Sequence, residues 1–96
     1  MRRQHLKNGT WKVTFDLTAE AGVKDVHLCG EFRDWSPTAT PMTRREDGTY
    51  RVTVALEPGR SYRFRYLLDG DRWENDWAAH DYVPNEHGGD DSVVVA

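Results

Sequence analysis

From Trp11 the chain reads WKVTFDL, which puts Trp11, Val13, Phe15 and Leu17 on one side of an extended backbone and Lys12, Thr14 and Asp16 on the other. That period of two predicts a strand with one face seeking a core. After the polar turn AEAGVKD, Val26 and Leu28 alternate with His27 and Cys29 up to Gly30, a second strand that opens into the loop EFRDWSPTATP. Asp47-Gly48 then leads into TYRVTVAL, where Tyr50, Val52, Val54 and Leu56 form a third inward ladder ended by Pro58-Gly59. In SYRFRYLLDG, Tyr62, Phe64, Tyr66 and Leu68 share one face, Arg63, Arg65 and Leu67 the other, and Asp69-Gly70 closes the run.

The next segment, DRWENDWAAHDYVPNEHGGDD, holds no sustained period and carries seven acidic side chains against one arginine, so it reads as ordered loop. The closing SVVVA is a short β-rich run that completes a sheet. No amphipathic stretch of ten residues or more predicts a helix. The economical architecture is an all-β sandwich of two antiparallel sheets, burying Trp11, Phe15, Val26, Leu28, Val52, Val54, Phe64, Leu68 and Val94 or its neighbour. Residues 1–8 lack both alternation and an apolar patch and are expected as a flexible basic arm, with residues 9–96 as one module.

Charge and composition narrow the function classes. Thirteen basic against sixteen acidic side chains leave a net charge of −3, which gives no electrostatic footprint for nucleic acid. No apolar run approaches the roughly 20 residues that span a bilayer, and Met1-Arg2-Arg3 leads into polar residues, so the expectation is a soluble, cytoplasmic protein without membrane partners. Cys29 is alone, which excludes an intrachain disulfide and a thiolate-rich zinc site.

Four tryptophans are more than a core of this size readily absorbs, and Trp35, Trp73 and Trp77 lie in loops beside charged, amide and hydroxyl side chains. An indole can stack beneath the C–H face of a sugar while neighbouring polar groups bond its hydroxyls. The alternative is that these indoles fold back as lids over the open ends of the sandwich. The two readings are close for Trp35 and Trp73; Trp77, beside Ala78 and Ala79, reads more as a lid, and Trp11 as core. Arg63 and Arg65 either bond adjacent hydroxyls or solvate an exposed sheet face.

Catalytic and metal chemistry find little support. Carboxylates abound at Glu46-Asp47, Glu74/Asp76 and Asp90-Asp91, but glycoside hydrolysis needs two held across a bond with separated pKa values. His80, Asp81, Glu86 and His87 lack a local zinc spacing, and Asp69, Asp71, Asp90 and Asp91 lack the ordered loop of a calcium site. Cys29 with His27 has no oxyanion partner, and NEHGGDD lacks the lysine and hydroxyl end of a phosphate loop.

The order VHLCGEFRDW, PM, DGTYRVTVALEPG, YRFRYLLDG, RWENDW, DYVPN, GGDDSVV resembles a family-48 carbohydrate-binding module, the domain found beside isoamylase-type catalytic domains and in AMP-activated kinase beta subunits. The resemblance covers about residues 9–96 and implies an early-set immunoglobulin-like β-sandwich without enzymatic activity or cofactor. It further implies that Trp35, ending the Gly-x-Phe-x-x-Trp element after Gly30 and Phe32, stacks on an α-glucan, and that Trp73 after the Asp69-Gly70 turn supplies a second stacking ring. Arg65 stands where the family often has lysine. Asp91 stands where the family has an amide, and His87 where a hydrophobic side chain precedes the Gly-Gly element.

The function expected is therefore non-catalytic binding of glycogen, starch or a maltooligosaccharide through Trp35, Arg65, Trp73 and Asp91, with Arg63, Trp77 and His87 as a further rim. The alternative is a protein-interaction module that contacts a glucan-processing enzyme through the same aromatic and arginine surface. Oligomeric state is open.

Overall fold

The computed structural model describes residues 1–6 and 9–96. Among these residues nine strands follow one another: β1 (Arg2–His5), β2 (Trp11–Thr18), β3 (Val26–Gly30), β4 (Thr43–Arg44), β5 (Thr49–Leu56), β6 (Ser61–Leu68), β7 (Arg72–Glu74), β8 (Asp81–Pro84) and β9 (Asp90–Val95). One sheet runs β1-β2-β5-β4 and the other β3-β6-β9-β8, with β7 added to β6, and all the pairings are antiparallel. The result is an all-β sandwich of the immunoglobulin-like kind.

The alternation read from the sequence sets the core. Val13, Phe15 and Leu17 of β2 and Tyr50, Val54 and Leu56 of β5 meet Val26, Leu28, Tyr62, Phe64, Tyr66, Leu68 and Val94 from the opposite sheet. Phe64 packs edge-on against both Phe15 and Tyr66, an edge-to-face geometry that aromatic quadrupoles favour. Two expected core residues, Trp11 and Val52, are only partly buried at its margin. Trp11 opens β2, where the His5 ring approaches to 4.9 Å and the Arg3 guanidinium sits over the indole at 5.2 Å.

Three further expectations change. Arg2–His5, expected within a loose arm, pair with β2 from Arg2↔Thr14 to His5↔Trp11. All four residues are exposed, so the strand rests on ladder hydrogen bonds and carries no hydrophobic signature. Of that expected arm, Lys7 and Asn8 lie outside the described residues. The acidic segment expected as loop supplies β7 and β8, short edge strands whose mostly exposed residues leave no alternation to read. Leu67, grouped with Arg63 and Arg65 on the outward face, is buried, with Trp73 as its cross-strand neighbour where β7 pairs alongside β6.

Candidate carbohydrate-binding site

The outward face of β6 forms the floor of the candidate site. Arg63 and Arg65 point there by strand alternation, and β7 brings Trp73 alongside through the Leu67↔Trp73 pairing. The Asp69-Gly70 hairpin makes that return possible: Asp69 (φ 51°) and Gly70 (φ 76°) both take left-handed backbone. The Asp69 carboxylate is occupied in the process, accepting the backbone N–H groups of Lys24 and Asp25.

Trp35 arrives from the other side. After β3 the chain turns through a short 3-10 helix, Glu31–Arg33, and then Asp34 (φ 52°) and Trp35 (φ 57°) both adopt left-handed backbone. Two consecutive non-glycine residues there cost on the order of 1–3 kcal/mol each and persist only where the surroundings impose them. Here the Trp35 N–H donates to the Gly30 carbonyl at 2.9 Å, and the Ser36 N–H to that of Arg33 at 3.0 Å. The Glu31 carboxylate accepts the Arg63 backbone N–H at 2.6 Å, so a side chain continues the ladder where β3 has ended. Gly30 is required at this turn, because a Cβ would lie 2.7 Å from the Phe32 ring and 2.8 Å from the Arg63 carbonyl oxygen.

The two approaches enclose an open groove of about 630 Å³ lined by Trp35, Arg63, Arg65, Trp73, His87 and Asp91. Six of the seven side chains singled out in the sequence therefore come together. Trp73 is 41% exposed and Trp35 half-buried, so neither acts as a closed lid. Arg65 holds its guanidinium over the Trp73 ring, 5.2 Å from the centroid, while its buried Nε has no hydrogen-bond partner among the described residues. One face of the indole is thus covered by a cation, and an unsatisfied donor remains beside it.

Asp91 sits in the groove wall as a buried carboxylate. Its Oδ1 accepts from the Asn85 side-chain amide at 3.2 Å, and Oδ2 lies 3.9 Å from the Arg63 guanidinium. Asn85 also lines the groove but was not singled out from the sequence. Its Oδ1 accepts the N–H groups of His87 and Gly89, closing the loop before β9, and this leaves the amide nitrogen directed to Asp91. The available signal was the Asn followed by Gly-Gly in NEHGG, an arrangement suited to an Asx turn. Glu31 and Glu86 were likewise missed as lining residues. His87 is exposed at the rim, 3.9 Å from the Glu86 carboxylate.

Trp77 does not join this groove. The expectation of an end lid fails as well, since the side chain is 94% exposed. It stands in a second groove, with Tyr82 on β8. Successive residues separate the two sites: Trp73 and Asp91 line the first, Glu74 and Asp90 the second. Alternation along β7 and β9 makes these pairs diverge.

Among the described residues no three of His, Cys, Asp and Glu gather as a metal site, and no helix is long and apolar enough to cross a membrane. The groove's equipment is two indoles, two guanidinium groups, an amide and fixed carboxylates, a set that can stack on an apolar ring face and hydrogen-bond its polar rim.

Comparison with known proteins places this geometry in a context. A family model described as the glycogen recognition site of AMP-activated protein kinase matches residues 6–94. An amylopullulanase of Thermoanaerobacterium thermosulfurigenes is 27% identical over 93 residues, covering 88% of this chain and 5% of that protein. An amylopullulanase of Thermoanaerobacter thermohydrosulfuricus is 36% identical over 59 residues, covering 57% of this chain and 4% of that protein. The chain thus spans about a twentieth of the length of these relatives.

Proposed function

The chain belongs to the family of glycogen recognition sites of AMP-activated protein kinase, the family-48 carbohydrate-binding modules, and on that premise we propose that its groove holds an α-glucan chain without cutting it. Glucose rings stack on Trp35 and on the open face of Trp73. Arg65 donates to sugar hydroxyls through the terminal nitrogens of its guanidinium group. Arg63 stands at the next outward position of the same strand, and His87 contributes at the exposed rim.

Asp91 acts mainly on its neighbours. A carboxylate already engaged by Asn85 and close to Arg63 holds both side chains along the wall, so the amide of Asn85 supplies polar character where the family has its own amide. The observation that carries the reading is that two sequence-distant tryptophans and the arginine between them in the chain line one groove.

The matched relatives are amylopullulanases, and the corresponding proposal for partners is a catalytic domain that acts on the glucan this module retains. Binding a chain beside such a domain raises its local concentration without any catalytic group in the module itself.

Titration with maltoheptaose, β-cyclodextrin and cellohexaose, followed by tryptophan fluorescence, tests the function. The two α-linked ligands change the emission and cellohexaose does not, and Trp35→Ala or Trp73→Ala shifts the response to about tenfold higher ligand concentration or beyond. Equal responses to all three ligands, or none to any, reject selective α-glucan binding.

A further inference from the structure

The second groove, about 650 Å³, lies on the other side of β7 and the start of β9 and includes Thr18, the last residue of β2 in the opposite sheet, and Glu20 just beyond it. Its central feature is Trp77, almost wholly in water. A bare indole on a mobile loop would carry little meaning, but this one stands on a braced turn. The Asp76 carboxylate is buried, accepts the Tyr66 hydroxyl at 2.6 Å and accepts the Ala78 N–H at 2.7 Å. The Asp76 N–H donates to Ser92 Oγ, and the Tyr82 hydroxyl donates to the Asp76 carbonyl. Hydrogen bonds from β6, β8 and β9 therefore converge on the residue before Trp77 and leave the indole outside. Such a preorganised, exposed aromatic surface is a mark of an interaction site.

Charge selects the occupant. Glu20, Glu74, Asp76 and Asp90 line the groove together with Trp77 and Tyr82, and among the described residues no basic side chain lines it. Arg72 reaches two of these carboxylates from outside, 3.6 Å from Glu20 and 3.4 Å from Glu74. An indole face bordered by carboxylates complements a cation lying flat on the ring, an arrangement that suits arginine best. A neutral sugar would gain stacking from Trp77 but nothing from the accumulated negative charge.

We infer that this groove docks an arginine-bearing segment of a partner protein, with the guanidinium over Trp77 and the Glu74 and Asp90 carboxylates beside it. Because Trp73 and Asp91 serve the other groove, the partner and a glucan occupy the module together. The inference stands apart from glucan binding and does not require it.

The test uses the full chain and NMR signals of the indole N–H groups and the Ala78 amide. The probes are a blocked peptide of alternating arginine and glycine, the same peptide with glutamine for arginine, and maltoheptaose. The arginine peptide shifts the Trp77 and Ala78 signals and leaves those of Trp35 and Trp73 in place; the glutamine peptide does not. Neutralising the rim with Glu74→Gln and Asp90→Asn together weakens the arginine peptide about tenfold, and Trp77→Ala, followed at Ala78, about fivefold. Near-UV circular dichroism checks that each variant is folded; should Trp77→Ala unfold, the rim variant decides. Equal shifts with both peptides, a Trp77 response to maltoheptaose alone, a shift that depends only on protein concentration, or no response overturn the inference. A failure of maltoheptaose at Trp35 and Trp73 bears on glucan binding alone.

Discussion

Arg65 carries its guanidinium 5.2 Å from the centre of the Trp73 ring, so the cation of β6 and the indole of β7 form one composite wall of the groove. The pairing of Leu67 with Trp73 brings them together: after the Asp69-Gly70 turn it returns the chain alongside β6 in the same sheet, with Trp73 on the face that carries Arg65. A stacked arginine fixes the ring's tilt and leaves one aromatic face for a ligand.

Removing either partner weakens maltoheptaose binding, but in different ways. Trp73→Ala lowers affinity about tenfold or more, the scale of one lost aromatic stack together with its buried area. Arg65→Lys keeps the charge, loses the planar fork, and falls between the natural protein and Arg65→Ala. Isothermal titration calorimetry on the three variants checks the order; equal affinity in all three would contradict the composite wall.

Asp34→Gly stabilises the protein by about 0.5–1 kcal/mol, because glycine takes the left-handed backbone at φ 52° without strain. The Asp34 side chain is outside the groove lining, so maltoheptaose affinity stays within about twofold, a difference under about 0.5 kcal/mol. Urea denaturation and a ligand titration on the same preparation measure both quantities. A loss of stability would show that the Asp34 side chain supports the turn.

Gly30→Ala acts in the opposite direction. The added Cβ meets the Phe32 ring at 2.7 Å and, less avoidably, the Arg63 backbone oxygen at 2.8 Å. Overpacking of this kind costs about 1–3 kcal/mol. Since Gly30 also accepts the Trp35 N–H, the displacement reaches the indole and weakens glucan binding as well. Denaturation midpoints and tryptophan fluorescence titrations follow the two effects; unchanged values for both would contradict the close packing.

His80 makes stability depend on pH. Its Nδ1 accepts the Val95 N–H at 2.8 Å, which requires an unprotonated nitrogen, and burial followed by the charge of Arg3 lowers its pKa from 6.5. In the window between that lowered value and 6.5 the unfolded chain binds more protons than the folded one. This contribution is therefore complete above pH 6.5 and lost as pH falls through the folded pKa. Thermal unfolding of the protein and of His80→Gln from pH 7.5 to 5 measures it, the variant showing the shallower slope. Parallel curves would remove His80 as the source.

Legibility in the sequence followed burial. The strands β2, β3, β5 and β6 have one face in the core, so their residues alternate and could be placed from the sequence. The edge strands β1, β7 and β8 are mostly exposed and are held by backbone hydrogen bonds, to which a hydrophobic pattern is blind. The same blindness hid Asp76, which resembles any loop aspartate until Tyr66 and Ala78 are found bonded to it.

Residue type and order along the chain were enough to determine the sandwich, its aromatic core and the family, because period-two burial and an ordered set of motifs are one-dimensional properties. Only the tertiary structure decided which tryptophans share a surface. Trp73 and Trp77 are four residues apart, yet they serve different grooves. Trp35 and Trp73 are far apart in the chain and serve the same one. The reason is that a side chain's face depends on where its strand pairs and where its turn is braced, and the hydrogen bonds that settle both come from β6, β8 and β9, outside the local sequence.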